Sequence, residues 1–214
     1  MAYRTTRKMA ERKEARRKRL LRAAIGVFGR KGYHAATVPM IVRAAHSSVG
    51  SFYFYFRNKE DVFAAALEAL GEQLSSALNA AIRSAGPEAI VQMGAAVKAL
   101  VRFLAENREE ARILMVESSG LGKRLEAVRR QVIESHTRSV ERALRALADR
   151  LPAFDASVVA SCWTGAVYEA VYRWLAQVPE ERPPAEQLAA AIAGFNLRGI
   201  GALGRQKENE RGSS

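Results

Sequence analysis

The chain has 214 residues, 49% of them apolar, and a formal net charge of +12, so it can bury a substantial core and is not disordered over most of its length. Its one cysteine, Cys162, excludes an intrachain disulfide and is too few thiols for a structural zinc site. No apolar run reaches the roughly 18 residues of a membrane span, and AAIGVFG, behind the basic N-terminus, ends in Arg30-Lys31 without a cleavage site, so a cytoplasmic protein is expected.

The charge is concentrated at one end. Residues 1–60 carry 15 of the 34 Lys and Arg against Glu11, Glu14 and Glu60, while residues 61–214 hold 19 of each sign. Such a polarised field points to a polyanion, either nucleic acid or an anionic membrane. Residues 1–15 read as a basic flexible arm that lies along a phosphate backbone or enters a neighbouring minor groove.

From Arg16 to Arg30 the stripe Leu20, Leu21, Ala24, Ile25 and Phe28 predicts a first helix, closed by Gly32. Thr37 is the expected N-cap of a second, with Pro39 in the first turn, where no intrahelical donor is needed. That helix ends near Ala45-His46, and Ser47 or Ser48 caps a third after a short break, the layout of a helix-turn-helix. Asn58 caps a fourth, with Glu60 and Asp61 complementing its dipole and Phe63, Ala66, Leu67, Leu70, Leu74 and Leu78 as its stripe. Leu125, Val128, Val132, His136, Val140, Ala143 and Leu147 trace a long helix. Val159 to Leu175 trace one that is apolar over a wide arc, and after Pro183-Pro184 a last helix runs from Ala185 to near Leu203. The segment 205–214, RQKENERGSS, reads as a disordered tail. Strand signals are nearly absent. The expectation is an all-α fold of about nine helices, with a three-helix helix-turn-helix domain at 16–58 and a larger helical domain at 59–204.

Five of the sixteen aromatic residues stand consecutively, Phe52-Tyr53-Phe54-Tyr55-Phe56. On a helix, Phe52 and Phe56 lie four apart and face inward, which leaves Tyr53 and Phe54 outward. Ser48, Val49, Gly50 and Ser51 put small side chains and free backbone N–H groups at that helix's N-terminus, suited to phosphates and base edges. Tyr53 has a hydroxyl for a phosphate, and Lys59 adds a cation at the start of the next helix. The surface reads as a recognition helix for a major groove.

These residues, from Thr37-Val38 through Ala44-Ala45-His46-Ser47-Ser48-Val49-Gly50-Ser51 to Phe56-Arg57-Asn58-Lys59-Glu60, resemble the N-terminal signature of the TetR (tetracycline-repressor) family of transcriptional regulators over roughly residues 16–64. The resemblance implies phosphate contacts at Thr37, Ser48, Tyr53 and Lys59, and base-edge or groove-wall contacts at Val49, Gly50 and Phe54. The expected DNA-binding set is Thr37, Ser47, Ser48, Val49, Gly50, Ser51, Tyr53, Phe54, Tyr55 and Lys59. Two positions depart from the family pattern. His46 stands where Gly is usual in the turn, and Val49 replaces a commonly basic or polar residue, so it is suited to a thymine methyl rather than a hydrogen bond.

In the larger domain the resemblance favours a cavity, with Phe103, Met115, His136, Trp163, Tyr168 and Tyr172 as candidate effector contacts; the same residues also suit a solid core. The apolar arc of 158–175, together with 185–203, exceeds what one core face needs and predicts a homodimer through a four-helix contact. GIGALG at 199–204 matches a dinucleotide fingerprint but lacks a preceding strand and room for a βαβ unit. His34, His46 and His136 are too scattered for a metal cluster or a triad, and neither cofactor nor enzymatic activity is expected. The expected protein is a nucleoid-associated dimeric repressor that binds a palindromic operator in double-stranded DNA and is released by a small, largely apolar effector. The alternatives are a basic membrane-surface protein, which leaves Thr37 and Lys59 without purpose, and a small-molecule-binding enzyme with a vestigial head.

Overall fold

A computed structural model describes residues 2–147 and 154–212. Among them the secondary structure is helical: α1 (Ala2–Ala35), α2 (Val38–Ala44), α3 (Val49–Tyr55), α4 (Lys59–Ser84), α5 (Ala89–Glu106), α6 (Arg108–Arg112), a π turn (Ile113–Glu117), α7 (Lys123–Arg145), α8 (Ala156–Ala176), a 3-10 turn (Pro179–Glu181) and α9 (Ala185–Gly212). The chain is all-α, as its periodicity predicts.

The chain divides into two compact units, one of Met1–Leu70 with Arg108–Arg129, the other of Gly71–Asn107 with Arg130–Ser214. These are not the contiguous domains 16–58 and 59–204 expected from punctuation. α4 and α7 each contribute their first part to one unit and their second part to the other, because an uninterrupted helix carries no sequence mark where its packing partners change.

In the first unit, α1 buries Leu20, Ala24 and Phe28 as its stripe requires, and Phe28 meets Phe63 of α4 edge-on at 4.9 Å. Gly32 ends the regular helix at φ 77°, a left-handed conformation open to glycine without a steric penalty. α2 and α3 start where their caps predict: Thr37 accepts from the Met40 N–H at 3.4 Å, and Ser48 accepts from the Ser51 N–H at 3.1 Å. Asn58 accepts from the Asp61 N–H at 2.8 Å, while Asp61 reaches back to the Arg57 N–H at 3.1 Å. α1 also begins earlier than expected. The segment 1–15, read as a flexible arm, is helical from Ala2, since its Ala, Arg, Lys, Glu and Met residues are strong helix formers.

α6 and the π turn complete this unit. Arg30 pairs with Glu109 at 3.0 Å, and Glu117 accepts from both the Tyr33 N–H, at 2.9 Å, and Arg112, at 2.9 Å. At Gly29 a β-carbon would lie 2.5 Å from that of Glu109, so the close passage of α1 over α6 demands glycine there.

In the second unit, α5 and α8 both pack on α9, and Gly71 lets α4 approach α7 closely, since a β-carbon there would meet Val132 at 2.8 Å. Trp174 closes the end of α8 by donating to the Pro183 carbonyl at 2.9 Å. α9 continues to Gly212, past Leu203, so residues 205–212 of the expected disordered tail extend the helix; residues 213–214 lie outside the described residues.

Candidate functional site

The α2–α3 pair presents the surface anticipated from the aromatic run. Phe52 and Phe56 are buried, with ring centroids 5.7 Å apart, and they fasten α3 to the head. On the opposite side Val49, Tyr53 and Phe54 are 48%, 55% and 66% exposed. Gly50 and Ser48 are exposed with them, a β-carbon on Gly50 would meet nothing within 4 Å, and Ser47, Ser51 and Tyr55 are half-buried at the edges. Such exposure of large apolar side chains on a short helix is costly for a free surface unless it serves a partner. His46 takes φ 46°, the one positive φ at a non-glycine among the described residues, and so fills the glycine-like turn position. Arg43 and His46 are exposed beside it.

The N-terminal part of α1 touches this surface. The Lys13 ammonium lies 4.9 Å from the Phe54 ring centroid, and the Arg17 guanidinium 5.5 Å from that of Phe56. Lys8, Arg12, Arg16 and Arg19 are exposed at helical spacing along one side of the same helix.

Lys59 requires a correction. Its ammonium donates to the carbonyls of Tyr33 at 2.8 Å, His34 at 3.2 Å and Ala36 at 3.1 Å, and it lies 4.5 Å from the Tyr33 ring centroid. All three donors of the ammonium are thereby engaged. It caps the orphan carbonyls at the end of α1, where the helix dipole is negative, and leaves no donor for a phosphate. The side chain holds α1 to the start of α4. Nearby, Arg124 contacts Asp61 at 2.6 Å, and chiefly through that hydrogen bond it holds the Asp61 carboxyl below its ordinary range.

The second unit contains a cavity of about 460 Å³, within the range typical of small-molecule sites. His136, Trp163 and Tyr168 line it as anticipated, whereas Phe103, Met115 and Tyr172 do not. Met115 is buried in the π turn of the first unit, Tyr172 is 44% exposed on α8, and Phe103 is half-buried on α5 away from the cavity wall. Sequence size alone cannot distinguish a wall from a core or a surface. Inside, His136 Nδ1 is 2.7 Å from the Tyr168 hydroxyl and Nε2 is 3.2 Å from the Ser75 hydroxyl. Burial lowers the imidazole to a pKa of about 4, so it is neutral at pH 7. Ser75, Thr164 and Arg142 also line the cavity and were not anticipated. Their one sequence signal is position: Ser75 and Thr164 are hydroxyl residues directly beside the apolar residues Leu74 and Trp163.

α8 and α9 leave a further exposed stripe. Val158, Cys162, Gly165 and Tyr172 recur along α8, and Ala191, Phe195 and Gly199 along α9, with Phe195 67% exposed. Cys162 is therefore at the surface. Among the described residues no cluster of His, Cys, Asp or Glu is arranged to hold a metal ion, and no helix is long and apolar enough to cross a membrane.

Comparison with known proteins bears on the head first. The family profile described as bacterial regulatory proteins, tetR family, matches residues 20–66. The HTH-type transcriptional regulator YdgC of Bacillus subtilis is 30% identical over 128 residues, 57% of this chain and 66% of that one. A tyrosine phenol-lyase of Nostoc punctiforme is 29% identical over 188 residues, 78% of this chain but 39% of that protein. The chain thus spans under two thirds of the length of either curated relative. Among solved structures, the regulator FadR of Bacillus subtilis in complex with stearoyl-CoA superimposes with a TM-score of 0.77, covering 86% of this chain and 98% of that one at 18% identity, which establishes likeness of fold. With its capped helix-turn-helix inside the matched segment, the head of the chain, residues 20–66, belongs to the tetR family of bacterial regulatory proteins, and the fold around it is the one seen in FadR.

Proposed function

We propose that the chain is a ligand-responsive repressor that binds a palindromic operator as a dimer and leaves it when a small, largely apolar effector enters the cavity of the second unit. The observation that carries this reading is the outward face of α3, where Val49, Gly50, Tyr53 and Phe54 are exposed while Phe52 and Phe56 anchor the helix from behind. A helix so presented fits a major groove, with the Tyr53 hydroxyl toward a phosphate, Val49 toward a thymine methyl and the basic stripe of α1 along the flanking backbone.

The exposed stripes of α8 and α9 support a symmetric contact between two copies, in which small residues such as Gly165 and Gly199 admit close helix approach. Two recognition helices then sit one DNA turn, about 34 Å, or a multiple of it apart. Regulation requires the effector to bind the DNA-incompetent state more tightly, because equal affinity shifts nothing. α4 is the physical candidate for coupling, since one continuous helix starts beside α3 and reaches the cavity through Ser75, Leu78 and Asn79. The apolar lining suits a chain-like ligand of the kind named in the FadR complex.

The test is selection of bound duplexes from a random library, followed by anisotropy on the selected site. Enrichment of an inverted repeat, bound at two chains per duplex, is expected. Loss of binding in Tyr53→Ala and Phe54→Ala at unchanged fold is expected too. Equal affinity for all duplexes, or stronger attachment to anionic vesicles than to DNA, contradicts the reading.

A further inference from the structure

The cavity contains a hydroxyl without a partner. Thr164 is only 5% exposed, lines the cavity, and its Oγ1 makes no hydrogen bond. In a helix such a hydroxyl ordinarily donates to a carbonyl one turn back. Other helical hydroxyls of this protein do so: Thr137 to the Ile133 carbonyl at 3.1 Å, Ser139 to that of Ser135 at 3.1 Å, and Ser161 to that of Ser157 at 2.9 Å. Thr164 does not, and its buried donor is left for whatever fills the cavity. A buried hydroxyl left unsatisfied is destabilising, so an arriving acceptor is favoured by more than its contact area alone.

The rest of the lining defines what kind of acceptor that is. Among the described residues no Asp or Glu lines the cavity, and the one formally charged residue of that lining, Arg142, has an exposed side chain that donates to the Ser139 hydroxyl at 2.9 Å. The buried base, His136, is neutral, and both of its ring nitrogens already face hydroxyls. A carboxylate held by Thr164 would give up hydration to a mostly apolar described lining, whose one cation, Arg142, keeps its side chain exposed to solvent. A neutral carbonyl would accept from the hydroxyl with no such penalty.

We propose that the cavity takes an apolar molecule bearing one neutral hydrogen-bond acceptor, a ketone, ester, thioester or amide carbonyl held by the Thr164 hydroxyl, and that it rejects the free carboxylate of equal length. This rests on the reading that the cavity is an effector site, and it adds the chemical class.

The full chain is titrated with 2-decanone and with decanoate at pH 7.5, followed by isothermal calorimetry and by the fluorescence of Trp163 in the cavity wall. The ketone is expected to bind at least about tenfold more tightly than the carboxylate, Thr164→Val to lose about tenfold for the ketone, and Thr164→Ser to retain it. Equal or tighter binding of decanoate, no change in Thr164→Val, or no binding of either probe overturns the assignment. A ketone that binds through Thr164 but leaves a bound duplex in place counts against the repressor mechanism alone. Release of DNA by ligands indifferent to Thr164→Val counts against the assignment alone.

Discussion

Replacing Lys59 separates two roles that one cation cannot fill together. In Lys59→Met the alkyl stem is kept and the ammonium removed, which leaves the carbonyls of Tyr33, His34 and Ala36 without their shared donor. Charged-group hydrogen bonds contribute about 1.5–3 kcal/mol each when well sheltered. Here one of the three bonds is exposed and all share one half-buried ammonium, so we expect a total near 2 kcal/mol rather than three times the single-bond value. For a chain of this size that corresponds to a fall of roughly 4–8 °C in melting temperature. The assay is urea and thermal unfolding of wild type and Lys59→Met, with DNA anisotropy measured from low to high salt well below the melting point. The salt slope of the folded variant is expected to match wild type. A variant as stable as wild type, whose salt slope falls by about 0.9, would show that the ammonium meets a phosphate and that the capping argument fails.

Three further outcomes follow from the geometry. His136 has a folded pKa of about 4 against 6.5 in the unfolded chain, so the neutral form stabilises the fold above pH 6.5 and that contribution is lost as pH falls toward 4. Between pH 7.5 and 4.5 wild type should lose about 2 kcal/mol more than His136→Gln in urea unfolding, and parallel profiles would contradict the burial. Gly29→Ala should lower stability by about 1–3 kcal/mol, because the new methyl meets the Glu109 backbone. Gly50→Ala, which meets nothing, should leave melting unchanged or slightly raised while weakening DNA binding; two equal melting curves would undo the contrast. Deleting residues 2–14 should reduce the salt slope of DNA binding by about 0.9 for each phosphate no longer neutralised, equally on specific and random duplexes, and an unchanged slope would mean the basic stripe is merely solvated.

Most of the head could be read from residues alone. Thr37, Ser48 and Asn58 cap helices through side chains three positions from their donors, and Phe52 and Phe56 share a face by spacing, so local chemistry determines both where α2, α3 and α4 begin and which way α3 turns. The all-α class follows from the same periodicity. Lys59 shows where such reasoning stops. Its carbonyl partners lie 23 to 26 positions earlier, and only the packing of α1 against α4 decides that its ammonium is spent inside the protein.

The cavity is decided at the same level. Phe103, Met115 and Tyr172 are as bulky as Trp163 and Tyr168, yet only the latter two reach it together with His136. Thr164 is not recognisable from its neighbours as an unpartnered donor, since Thr137 has the same local options and bonds its own helix. Composition and spacing determined a basic helix-turn-helix head on an all-helical chain, because those features depend on contacts within a turn or two. Which side chains face a void, which carbonyls an ammonium caps and where the chain divides into units depend on contacts between segments far apart in sequence, and for these only the tertiary structure chooses the partners.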